Sequence, residues 1–220
     1  MAQSEFREAS TVGQDAEKRR QILAGARDVF FQRGFDAASM GDIARAAGVS
    51  KGTLYVYFKD KADLFATMVS VECAETAEQL FVLDTDERDL ETALTRLGVS
   101  FMQAMVRPCN VAILRTVIAI AGKFPDIGRR FLDAGPRAGI RRLAIFLKAQ
   151  VDRGALTIDD VEVAASQFLL LCKDGVMTPI LLGCADVPDT ADIEAVVRRA
   201  VRFFLSVYRP CAPQTSGPTL

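Results

Sequence analysis

SMGDIARAAGVSKGTLYVYFKDKADLF, residues 39–65, reads as two short helices joined by a tight turn. Ser39 can cap the first helix, and Asp42, three positions on, completes a capping box. Met40, Ile43, Ala44 and Ala47 then recur at helical spacing on one apolar face. Gly48 supplies the left-handed backbone of the turn. The second helix starts near Ser50, turns Val49, Leu54 and Phe58 inward, and leaves Lys51, Thr53, Tyr55 and Tyr57 on other faces. A helix of about two turns that opens with small, hydroxyl and basic residues fits the major groove, where the first residues of a recognition helix reach base edges.

Upstream, the polar, Ser/Thr-rich residues 1–14 read as a flexible arm. Residues 15–33 read as a helix with Ile22, Leu23, Ala26, Val29 and Phe30 inward, ended by Gly34, with Phe35 returning the chain to the core. Downstream, Asp60 with Asp63 signals a long helix to about Val82. Helical periodicity continues over residues 87–106, 108–122, 125–153, 159–183 and 190–208, with Gly135-Pro136 marking a kink or a division. No strand alternation, repeat or low-complexity tract stands out. The fold class expected is all-α: a three-helix head over residues 15–65, a helical body over 66–209 and a frayed tail over 210–220.

The run AEKRRQILAGARDVFFQRGFDAASMGDIARAAGVSKGTLYVYFKDKADLF, residues 16–65, resembles the DNA-binding domain of the TetR family of bacterial transcriptional regulators. Matching pieces stand in the family's order over about fifty residues, which is more specific than a bare helix-turn-helix match. The resemblance implies a regulator that binds double-stranded operator DNA as a homodimer, most often a repressor released by a small-molecule effector. It places Lys51 and Thr53 at base edges and Tyr55 at bases or a thymine methyl. It places Ser39, Ser50, Tyr57 and Lys61 at phosphates, with Gly52 and Lys59 in the same interface. The body, from LRTVIAIAGKFPDIGRRFLDAGPRAGIRRLAIFLKAQVDRGAL through AASQFLLL, is similar to the C-terminal domain of AefR-like regulators. That likeness implies ligand sensing and dimerisation and names no ligand.

Two helices of the body carry more apolar residues than one stripe needs. Ala165, Phe168 and Cys172 on the first, with Val197, Val201 and Phe204 on the second, are expected to pair across a twofold axis. Burial in a single subunit's core is the competing reading of the same residues. Phe101, Met105, Leu114, Arg115, Ile118, Phe131 and Phe168 could line a pocket for an uncharged, apolar or aromatic effector. Plain core is the competing reading for each of the apolar ones. Arg115 is the best single candidate for a polar anchor, because its helix is otherwise apolar from Val111 to Ala121, and a salt bridge to an acid such as Asp174 is the favoured competing reading.

Composition narrows the function classes. The formal charge of −1 excludes a generally basic coat. Up to Lys61 there are ten Lys/Arg against eight Asp/Glu, so DNA affinity has to come from placed residues. The chain has no His, and its five Cys are far apart without CxxC spacing, so no metal site or cofactor is expected. Without a nucleophile–base pair or a phosphate loop, an enzyme is not expected either. An odd, scattered Cys set, an N-terminus without an apolar signal core and no long uncharged apolar run point to the cytoplasm rather than a membrane. A thiol-based redox sensor is the alternative to small-molecule sensing, with Cys109 beside Pro108 and near Arg107.

Overall fold

The computed structural model describes residues 2–86 and 88–210, with side chains from residue 14 onward. All regular structure among these residues is helical. The helices are α1 (Ala2–Ala37), α2 (Met40–Ala46), α3 (Lys51–Tyr57), α4 (Lys61–Leu80), α5 (Leu90–Met105) and α6 (Pro108–Ala121). They continue with α7 (Pro125–Ala134), α8 (Pro136–Asp152), α9 (Val161–Lys173), α10 (Met177–Leu181) and α11 (Thr190–Tyr208).

Two departures from the sequence reading, at residues 2–14 and 159–183, have local causes, and two expected breaks, at Gly34 and Gly135-Pro136, take definite form. The backbone of residues 2–14 is helical, where an arm was expected. Glu5, Arg7, Glu8 and Ala9 are good helix formers amid the Ser and Thr. Gly34 breaks the helical path at φ 75°, ψ 171°, where the helix was expected to end. The single helix expected over 159–183 is two, because Gly175 takes φ 72° between α9 and α10. Gly135-Pro136 is a division rather than a kink: α7 ends there and Pro136 opens α8. The tail beyond Pro210 lies outside the described residues.

The helices form two compact units that do not follow chain order. The first holds residues 1–75 and returns for 108–135; the second holds 76–107 and 136–220. The grouping therefore differs from a simple division at residue 65. In the first unit α1, α2, α3 and the start of α4 share one core with α6 and α7. Phe30, Phe35 and Phe65 meet edge-on or stacked, and Ile113, Val117, Ile120 and Ile127 come in from α6 and α7. Arg130 of α7 donates to Asp63 at 3.1 Å and to the buried Thr67 hydroxyl at 2.6 Å, tying α7 to α4.

In the second unit α9 packs on α8, and α11 packs on α5 and α9. Gly98 lets α5 and α11 close up: a Cβ there would stand 2.6 Å from Val197 Cγ1. Gln150, buried at the end of α8, donates to the Thr85 carbonyl at 3.1 Å and so satisfies its own amide while pinning the turn before α5. Among the described residues no single helix is long and apolar enough to cross a membrane.

Candidate nucleic-acid interface

The geometry around α3 is built by three devices. Ser39 caps α2 by accepting from the Asp42 N–H at 3.1 Å, and its hydroxyl donates to Asp42 Oδ2 at 2.6 Å. That hydrogen bond, helped by Arg33 and Arg45, holds the Asp42 carboxyl below the usual range. Ser50 caps α3 by accepting from the Thr53 N–H at 2.9 Å, with the two hydroxyls 2.8 Å apart. Between the helices Gly48 takes φ 64°, and Gln21 of α1 donates to the Ala47 carbonyl at 2.7 Å, capping the end of α2.

Leu54 and Phe58 are buried and anchor α3, with Val49 half-buried beside them. Lys51, Gly52, Tyr55 and Lys59 are exposed, and Thr53 is half-buried at the first turn. The sequence-predicted readers thus share one short helix with its core face inward. Val56, which the sequence reading passed over, is 81% exposed on the same helix. An apolar residue at a position facing away from Leu54 was the available signal.

Two predicted phosphate contacts are engaged within the protein itself. Lys61 does not reach outward. Its ammonium donates to the carbonyls of Phe35, Asp36 and Ala38 at 2.6, 3.1 and 2.9 Å, and stands 4.6 Å from the Phe35 ring centroid. All three of its donors are spent on the exit of α1. Lys61→Ala is therefore expected to destabilise the head by about 1–3 kcal/mol and to leave the salt dependence of DNA binding nearly unchanged; thermal melts and salt titrations check this. Tyr57 donates its hydroxyl to Asp15 at 2.8 Å.

The predicted pocket residues fall into different units and environments. Phe101 and Phe168 are core residues of the second unit, against Phe81 and Phe204 at 6.4 and 5.4 Å between ring centroids. Met105 of that unit is half-buried. In the first unit Leu114 and Phe131 are half-buried, whereas Arg115 and Ile118 are exposed. The charge of Arg115 is therefore solvated rather than buried in an apolar helix face, contrary to the expectation for a buried anchor.

The predicted dimer residues are also misplaced. Ala165, Phe168, Cys172, Val197, Val201 and Phe204 are all at most 1% exposed within one chain, so they form its own core. The apolar side chains left outside on α9 and α11 are Val163, Leu170, Phe203 and Val207. Leu170, Phe203 and Val207 line a groove with Gln167, Asp174 and Tyr208. Burial pushes the Cys73 and Cys172 thiols up to about 11 and about 12, so neither is a ready thiolate. Cys109 is half-buried, and Cys211 lies outside the described residues.

Residues 22–68 match the tetR family of bacterial regulatory proteins, and residues 92–210 match the C-terminal domain of AefR-like transcriptional repressors. The chain belongs to the TetR family. A TetR-family regulator of Mesorhizobium loti superposes with a TM-score of 0.84 at 26% identity, over 89% of this chain and 98% of its own. The flavonoid-responsive regulator FrrA is 36% identical with a TM-score of 0.75, over 90% of this chain and 100% of its own. The transcriptional regulator ArpR of Pseudomonas putida is 33% identical over 199 residues, 88% of this chain and 92% of ArpR. Several other curated relatives match over a short stretch: the chain spans about a quarter of the length of AcrR of Shigella flexneri, at 50% identity over 54 residues. This TetR-family member is a DNA-binding transcriptional regulator and not an enzyme, and family membership carries homodimerisation with it.

Proposed function

We propose that the protein is a cytoplasmic repressor that leaves a palindromic operator when a small, uncharged, ring-containing molecule binds its body. The observation that carries the DNA half is α3: a helix capped by Ser50, anchored by Leu54 and Phe58, with Lys51, Gly52 and Tyr55 left outside and unused by the fold. Two copies related by a twofold axis would place two such helices in successive major grooves, with half-sites about 34–36 Å apart or a multiple of that. The effector half is supported by the Phe- and Met-rich helices of the body, and by the 36% identity with FrrA, a flavonoid-responsive regulator. An effector acts only through its preference for the state that cannot bind DNA.

The test begins with selection of bound sequences from a random duplex library, followed by a screen for aromatic compounds that release the selected duplex. A palindromic site released by such a compound is the expected result. Selection without any recurring sequence, or a site that tightens on addition of the compound, would count against repression by release. Within the selected site, Lys51→Ala is expected to cost roughly 1–3 kcal/mol and to relax preference at one base pair per half-site. Equal weakening on selected and random duplexes would make Lys51 a phosphate contact only.

A further inference from the structure

Asp15 sits against the recognition helix where DNA is expected. It lies on α1, and Tyr57 is the last residue of α3. The Tyr57 hydroxyl donates to Asp15 Oδ1 at 2.8 Å, across 42 positions of sequence. This bond is not needed to dock α1 on the turn. Gln21 already bonds to Ala47, Gly25 lies flush against Ala47, and the Arg19 guanidinium stands 5.0 Å from the Phe58 ring centroid. Asp15 is exposed, and no ion pair neutralises it among the described residues, although Lys18, Arg19 and Arg20 follow on the same helix. Its acidic neighbour Glu17 differs in this respect, being paired with Arg20 at 2.7 Å.

A carboxylate and a backbone phosphate ask the same thing of Tyr57: one O–H donated to an anionic oxygen. The phenol has a single proton and can satisfy one of them. We propose that Asp15 is a built-in phosphate mimic that competes with the DNA backbone for the Tyr57 hydroxyl and lowers the affinity of the head for every duplex. The proposal rests on the reading of Tyr57 as a phosphate contact. Binding then requires an exchange in which Tyr57 turns from carboxylate to phosphate. The displaced carboxylate stays close to the phosphate, and like charges at that range oppose the complex. Because the competition is for phosphate, it carries no sequence information. Asp15 therefore sets affinity and leaves base preference alone. The same bond holds the proton on Tyr57 by pushing the phenol above its usual range, so the hydroxyl remains a donor throughout.

Fluorescence anisotropy with the full chain, on a selected duplex and a random duplex of equal length, tests the idea. Asp15→Asn and Asp15→Ala are expected to tighten both duplexes alike, by roughly threefold to tenfold. In a Tyr57→Phe protein the same substitutions should gain less, since no hydroxyl has to be freed. Far-UV circular dichroism confirms that each variant is folded. Folded Asp15 variants that bind unchanged or more weakly would overturn the proposal, as would tightening on the selected duplex alone. An equal gain with and without the Tyr57 hydroxyl would also remove the competition and leave simple repulsion. A wild-type protein that binds neither duplex would sink the DNA-binding reading itself, a different outcome from wild-type binding that Asp15 does not modulate.

Discussion

Phe203→Glu is expected to give a folded monomer, and Phe204→Glu a protein that does not fold. The two positions are neighbours on α11 with opposite surroundings. Phe203 is 59% exposed beside Leu170 and Val207, whereas Phe204 is 1% exposed and packs edge-on against Phe168. A glutamate at 204 would bury an unpaired charge at a cost of several kcal/mol, comparable with a domain's whole stability. A glutamate at 203 is solvated in the single chain and costs that chain little. It matters only when a second copy covers the face, as in an isologous pairing of α9 and α11 with their twofold mates. Light scattering should report half the mass for Phe203→Glu with the helical signal intact. Operator affinity should fall by roughly 10²–10⁴-fold, the loss expected when two linked heads become independent. A Phe203→Glu protein that remains dimeric would place the interface away from this groove.

That contrast also shows what a sequence can and cannot disclose. Periodicity marks Phe168, Cys172, Val197 and Phe204 as members of apolar stripes. It does not say whether a stripe is spent inside the chain or between chains. The chain fills its own core first, and what remains for a partner is the less prominent set, Val163, Leu170, Phe203 and Val207. Several boundaries were legible from residues that dictate backbone: Ser39, Ser50 and Asp60 at helix starts, Gly48 in the turn, and Pro108 and Pro125 opening two later helices. Gly175 carried the same kind of signal after Asp174 and was overridden by the apolar run on either side. The role of Lys61 was not legible at all. Its partners, the carbonyls of residues 35, 36 and 38, are backbone groups that only the folded path of α1 brings within reach. The return of α6 and α7 to the first unit is long-range packing too, with Phe124 edge-on to Phe35 and Arg130 on Asp63, and no local pattern encodes it.

Gly25→Ala is expected to lower the melting temperature, although alanine is the better helix former by about 1 kcal/mol. A Cβ at residue 25 would stand 2.6 Å from the Ala47 nitrogen, 2.7 Å from its Cα and 2.8 Å from its Cβ. These are mainly backbone atoms at the end of α2, so no side chain can swing away to make room. Either α1 shifts outward or the turn that aims α3 moves, and the Gln21 bond to the Ala47 carbonyl is strained in both cases. Overpacking of this kind costs about 1–3 kcal/mol, which outweighs the gain in helix propensity. Gly41→Ala is the matched control: a Cβ there meets only the Ser39 hydroxyl oxygen at 3.7 Å, ordinary contact inside α2. That variant is expected to gain stability by up to about 1 kcal/mol. Gly25→Leu extends the comparison from stability to function. With no room beside Ala47, it should abolish operator binding while leaving the second unit, which contains neither residue, helical and dimeric. Calorimetric melts of the two alanine variants give opposite signs if the contact is as close as it stands here. A Gly25→Ala protein that melts as high as Gly41→Ala would mean that α1 and the turn separate without cost, and that α3 is aimed by something other than their contact.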